Sequence, residues 1–246
     1  MKQHSAAFNL LLGLGALLGS ATLASSFVLG TFFTNPLFLI LVLFALMFAP
    51  ANVRFGRRVQ LSALQVVVLA AVVLAGIPEA VVVAGMGALC LVALSRPRPE
   101  FHQAVAIVTG YPLEALLAGW AFTLAGGRPP AEFLTGSGLV ALVLASLVYF
   151  LAHTWIAATL VGFGEGLTVA GVWLERYAWS LPAFLSAGAL AGIIGLLYEW
   201  AGLHALVLLI PFVLLLLQSY RVRAERNRFR TELERLRAAQ GTSDHS

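Results

Sequence analysis

The chain has 246 residues, of which 60% are hydrophobic and only 11% charged, with a formal net charge of +4 and a mean hydropathy of +0.92. Soluble domains carry about 25% charged residues, which excludes a water-soluble core. The apolar runs are continuous instead of alternating every second residue, which excludes a membrane β-barrel.

Each apolar run of ~20 residues can cross ~30 Å of hydrocarbon as a helix, and the sequence is read as an all-α bundle of about eight spans. The first covers residues 6–25 after Lys2. Its small residues around Thr22 and Ala24 also fit a signal peptide, but a second apolar run follows at once and retention is expected. The second span lies near 35–50 and opens on Asn35-Pro36, a proline tolerated in a first helical turn. Arg54, Arg57 and Arg58 then mark a cytoplasmic loop.

Residues 60–76 and 78–95 form a tight pair around Gly76-Ile77-Pro78. Both are short for a span, so they either thin the bilayer or insert partway as a hairpin. Cys90, the single cysteine, lies within the second of them and has no intrachain disulfide partner. Arg96 and Arg98 mark the next loop. The fifth span, 103–126, has His102 and Gln103 at its inner boundary and ends in an outer turn carrying Arg128. The sixth spans 137–162. Residues 164–180 hold Glu165, Glu175 and Arg176 among Trp173, Tyr177 and Trp179, as expected of a helix lying at the headgroup level. The seventh span runs 181–198. An outer turn with Glu199 and His204, too few groups for a metal site, leads to the eighth at 202–219.

In this arrangement every Lys and Arg except Arg128 faces one side. Basic residues near spans stay cytoplasmic, so both termini are expected in the cytoplasm of a bacterial inner membrane. The positive charge is then a matter of topology and anionic lipid, and no nucleic-acid binding is expected.

The tail changes character. A juxtamembrane helix over 220–240 precedes a flexible end, 241–246. With Arg226 and Leu233 at a, Val222, Phe229 and Leu236 fall at d, Glu225 and Glu232 at g, and Arg230 and Arg237 at e. The g-to-e′ pairs Glu225–Arg230′ and Glu232–Arg237′ fit a parallel coiled coil and a homodimer. A solvated single helix is the alternative.

Polar groups inside a membrane are costly. Glu114 lies mid-span, two residues after Pro112, whose missing N–H frees a carbonyl. His153 in the next span is its nearest candidate partner, and Tyr111, Thr109, Tyr149 and Thr154 complete a polar set. These residues are expected either to line a ligand or proton-sensing pocket or to fix helix packing through a hydrogen bond. Gly188, Gly192 and Gly195 share one face of the seventh span, and Gly15 and Gly19 one face of the first, as close helix packing requires. No Walker loop, nucleophile elbow, HExxH or complete dinucleotide fingerprint is present, and no enzyme activity, cofactor or metal is expected.

Between Arg58 and Leu124 stand Gly76-Ile77-Pro78-Glu79-Ala80, Gly85-Met86-Gly87-Ala88-Leu89 and Leu117-Ala118-Gly119. Further on come Val148-Tyr149-Phe150-Leu151-Ala152-His153-Thr154, Gly164-Glu165-Gly166, Val172-Trp173-Leu174-Glu175 and Trp179-Ser180-Leu181-Pro182-Ala183-Phe184-Leu185, then Gly188. In these motifs the chain resembles the membrane-embedded N-terminal sensor region of bacterial HD-GYP cyclic-di-GMP phosphodiesterases and related signalling proteins. Such proteins usually carry Asn near the position of His153, and the HD-x-x-G-Y-P motif is absent. The resemblance therefore implies a sensory or regulatory module whose output lies in an appended domain or a separate partner. The competing expectation is a small-molecule binding or uptake component of a transporter.

If the tail pairs in this register, cysteines at Phe229 and Leu236 crosslink between chains, whereas a cysteine at the outward position Glu234 does not. Equal crosslinking at all three contradicts the register.

Overall fold

The structure is a computed structural model that describes residues 6–30, 32, 35–49, 52–55, 59–95, 98–130 and 136–207. Eight α-helices and one short hairpin follow in the order α1 (Ala6–Leu29), α2 (Pro36–Phe48), β1 (Asn52–Phe55), β2 (Val59–Ser62), α3 (Leu64–Leu74), α4 (Ile77–Leu94), α5 (Phe101–Leu124), α6 (Ser137–Glu165), α7 (Val169–Val172) and α8 (Leu181–Ala201). Residues 1–203 form one compact unit. Residues 204–246 form another, of which 204–207 are described and helical. The expected juxtamembrane coiled coil and flexible end, and residues 208–219 of the eighth span, lie outside the described residues.

Among the described residues, five stretches are long and apolar enough to cross a membrane: Phe8–Leu29, Ile77–Leu94, Phe101–Leu124, Ser137–Glu165 and Val169–Ala201. Their outward surface is apolar, with Leu14, Leu17, Trp120, Leu144, Leu190 and Ile193 all exposed. Soluble monomers rarely expose contiguous apolar patches of this kind, and this is the fold of a helical membrane protein.

Two of the expected spans are shorter than the sequence implies. Helix α2 has 13 residues. Asn35 caps it, its Oδ1 accepting a hydrogen bond from the Leu37 N–H at 3.0 Å, with Pro36 in the first turn. The run 60–76 does not begin as a helix. Val59-Gln60-Leu61-Ser62 alternates apolar and polar, the period of a strand, and pairs antiparallel with Asn52–Phe55 in the register Phe55↔Val59 to Asn52↔Ser62. The hairpin takes the place of part of the expected basic loop, with Arg54 in β1, while Arg57 and Arg58 lie outside the described residues. Helix α3 keeps only 11 residues, about 16 Å at 1.5 Å per residue, so a crossing there requires the ~30 Å hydrocarbon layer to thin around it. It is buried all round, from Leu64 and Gln65 through Val67–Leu74. The surface helix expected over 164–180 is instead broken into α7, a π-helical turn at Trp173–Tyr177 and a 3₁₀ turn at Ala178–Ser180.

Helix α5 is the centre of the bundle, packed against α1, α4 and α6. A capping box starts it: the Glu100 side chain accepts from the Gln103 backbone, and Gln103 Oε1 accepts from the Glu100 N–H at 3.3 Å. Small residues let its neighbours approach. A Cβ added at Gly19 of α1 would collide with the Thr109 carbonyl oxygen, and one at Gly119 would lie 2.7 Å from Ile77 Cγ1 of α4. On α8, a Cβ at Gly188 would strike Ser146 Oγ of α6, and one at Gly192 would lie 3.0 Å from Leu142 Cδ2. Gly195 is buried on the same helix. Cys90 is a free thiol on α4, its Sγ 3.5 Å from the Leu46 carbonyl oxygen of α2.

Gly188→Val is expected to lower unfolding free energy by about 1–3 kcal/mol, the usual cost of overpacking. Gly13→Val, at a position with open space around its Cβ, is expected to stay within about 0.5 kcal/mol. Denaturant titration in detergent measures both, and equal losses contradict this packing.

Candidate functional site

Glu114 occupies the middle of α5, on a helix whose ladder is interrupted by Pro112. It is 2% exposed. Gly110, one turn earlier, lies beside the carboxylate, where a Cβ would sit 3.6 Å from Glu114 Oε1, an ordinary contact. The other oxygen, Oε2, lies 3.0 Å from His153 Nδ1 on α6. A bare carboxylate in hydrocarbon is strongly disfavoured; the histidine answers that cost.

The direction of this hydrogen bond depends on where the proton sits. Neutral glutamic acid donates to a neutral imidazole, and an imidazolium or an Nδ1–H tautomer donates to the carboxylate. In either arrangement the contact is a charge-assisted or acid–base hydrogen bond between two groups that would each be costly to bury alone.

Rings surround the pair. Tyr149, one turn before His153 on α6, is fully buried and lies parallel to the imidazole, with centroids 6.2 Å apart and 8° between planes. Tyr111, one turn before Glu114 on α5, meets the imidazole edge-on at 5.6 Å. Phe184 of α8 packs on His153 at 5.5 Å, on Tyr149 at 6.2 Å and on Phe150 at 5.3 Å. The Tyr149 hydroxyl is buried without a hydrogen bond of standard geometry; the Glu114 carboxylate is the acceptor its surroundings offer. The His153 side chain keeps 27% of its surface accessible. Its Nδ1 is the nitrogen that faces Glu114.

Four of the six residues expected to form the polar set therefore meet: Glu114, His153, Tyr111 and Tyr149. The two threonines do not join them. Thr109 Oγ1 donates to the Val105 carbonyl at 2.8 Å, and its backbone backs onto Gly19. Thr154 Oγ1 donates to the Phe150 carbonyl at 2.6 Å and accepts from Trp173 Nε1 at 2.9 Å. This second bond ties the residue next to His153 to the π-helical turn. The same turn carries Arg176, whose two terminal nitrogens bind the two Glu165 oxygens at 3.0 and 2.8 Å. Both partners are about half-exposed, and such surface pairs contribute at most about 1 kcal/mol.

Three features were not foreseen in the sequence as parts of this region. Phe184 and Trp173 are aromatic side chains whose contacts depend on how α8 and the turn fold over α6. Glu79, buried in the first turn of α4 with Gly76 beside it, is a charged residue in an apolar run, a signal the sequence does carry. Among the described residues no group of three or more His, Cys, Asp and Glu is placed to hold a metal. Comparison with protein-family models, curated proteins and solved structures found no match.

Glu114→Ala leaves the imidazole without its partner and is expected to cost about 1–3 kcal/mol of stability. Tyr149→Phe removes a hydroxyl with no standard hydrogen bond and is expected to change stability by no more than about 0.5 kcal/mol. Unfolding of both variants in one detergent checks this, and a loss at Tyr149→Phe as large as that at Glu114→Ala contradicts the geometry.

Proposed function

We propose that this chain is a non-enzymatic sensory or regulatory module of a bacterial inner membrane, in which the Glu114–His153 pair registers a proton or small ligand. In this reading it crosses the bilayer about eight times with both termini in the cytoplasm, and its C-terminal helix pairs with that of a second copy. An appended domain or a separate partner carries the output, as the resemblance to HD-GYP sensor regions implies.

The observation that carries the proposal is the 3.0 Å contact between Glu114 and His153, made between two membrane-crossing helices and covered by Phe184 from a third. A change in the charge of the pair alters the cost of burying it. In this reading the cost is relieved by movement of α6 against α5 or α8, and α8 leads along the chain toward the tail. For this to be signalling, the stimulus must favour one packing over another.

The uptake reading needs a chamber for a substrate. The cavity between α1, α5 and α6, of about 240 Å³, is lined almost entirely by apolar side chains, whereas substrate pockets add placed polar groups that fix orientation, and it does not favour that reading.

The full chain in nanodiscs, with a cysteine at Leu236, tests the proposal. Between about pH 5 and 8, where histidine changes charge, crosslinking between tails is expected to change in the parent chain and to stay flat in Glu114→Gln. The groups facing His153 are Glu114 and Tyr111 on α5, Tyr149 on its own helix and the apolar Phe184 on α8, so Glu114 is the acid to remove. A response that survives Glu114→Gln, or no response in the parent, contradicts the proposal.

A further inference from the structure

The cavity between α1, α5 and α6 has a definite direction. Phe8 and Gly15 bound it on α1, Ala106 and Leu113 on α5, and Phe163 and Trp155 on the antiparallel α6. Each pair is seven or eight residues apart and the intervening lining residues recur at three- and four-residue spacing, so the cavity follows the helix axes for about two turns. That is about 10 Å at 1.5 Å per residue, a third of a ~30 Å hydrocarbon core and most of one leaflet.

Its lining is almost entirely apolar. The two hydroxyls on its wall are already occupied, Thr109 donating to the Val105 carbonyl at 2.8 Å and Thr159 to the Trp155 carbonyl at 2.7 Å. A bound water needs two to four polar partners, and apolar cavities of about 150 Å³ stay dry and take apolar guests; this one is larger. Phe8, Ala106 and Gly110 form a buried floor, while Leu11, Trp155 and Phe163 are exposed along the rim. The rim is continuous with the lipid-facing surface of α1 at Leu10, Leu14 and Leu17.

We propose that this cavity binds one acyl chain of a bilayer phospholipid, lying along α1, α5 and α6 against Gly110 and Ile156. A segment of a second copy is the other apolar occupant to weigh. The direction along the spanning helices, the leaflet-scale length and the opening onto the lipid face favour the lipid. The site stands independently of proton or ligand sensing by Glu114, but it backs onto that residue: a Cβ at Gly110 would lie 3.6 Å from Glu114 Oε1 and 3.8 Å from Ile156 Cδ1.

The glycines of α1 supply the test. Neither Gly13 nor Gly15 has anything within 4 Å of an added Cβ, yet only Gly15 lines the cavity. Native mass spectrometry of the full chain, extracted from its membrane in mild detergent, is expected to show one retained phospholipid mass in the parent and in Gly13→Leu. The adduct is expected to be lost in Gly15→Leu. An adduct retained by Gly15→Leu, no adduct in the parent, or an adduct with the mass of a free fatty acid or a polar metabolite each overturns the proposal. So does conversion of a dimer to a monomer by Gly15→Leu alone, which would assign the cavity to a second copy. Should Gly15→Leu not fold, a phospholipid with a diazirine on its acyl chain is used on the parent protein. Labelling is expected to concentrate at Gly110, Leu113 and Ile156, and labelling no greater there than at exposed Leu10 and Leu17 overturns the site.

Discussion

A carboxylate cannot stand alone in hydrocarbon, and the centre of this bundle is arranged around that constraint. Glu114 sits mid-way along α5, the helix against which α1, α4 and α6 pack. Gly110 lies beside the carboxylate, Pro112 interrupts the backbone ladder next to it, and His153 comes across from α6 to within hydrogen-bond distance. The low dielectric that makes an unpaired charge so costly also strengthens the bond between these two groups. Tyr111, Tyr149 and Phe184 then close around the imidazole, and through Phe184 the pair engages α8.

Close helix approach is the second requirement. Lipid chains are as apolar as leucine, so helices in a membrane associate through fit instead of hydrophobic expulsion. Here the fit is made by glycines meeting specific neighbours: Gly19 against Thr109, Gly119 against Ile77, Gly188 against Ser146 and Gly192 against Leu142. Gly15 is the exception, facing the cavity instead of a neighbour. One small-residue motif on α1 thus has two outcomes, a contact at Gly19 and open space at Gly15.

Much of the helical fold is legible from hydropathy, because a run such as 137–162 has no other way to satisfy its backbone in an apolar solvent. The proximity of Glu114 and His153 follows from two polar groups at similar depth in consecutive long helices. What hydropathy cannot resolve is local competition. Val59 and Leu61 count as apolar in a sliding window, yet their alternation with Gln60 and Ser62 forms a strand, and α3 begins only at Leu64. Thr109 and Thr154 look like free polar groups in sequence, but inside a helix each hydroxyl bonds the carbonyl four residues earlier, which withdraws it from a tertiary site. The packing of Phe184 on His153 and the bond from Trp173 to Thr154 depend on a π-helical turn that no periodicity announces.

The proposed account joins a protonation-sensitive pair to helix packing, and places a lipid chain beside the same helix at Gly110. The first of these rests on Glu114 being held by His153 within the bilayer. Solid-state NMR of the protein in lipid, with labelled histidine and glutamate, tests this most directly. The account predicts a dipolar contact between His153 Nδ1 and the Glu114 carboxyl carbon and its loss in Glu114→Ala; a His153 ring with no glutamate nearby would contradict it.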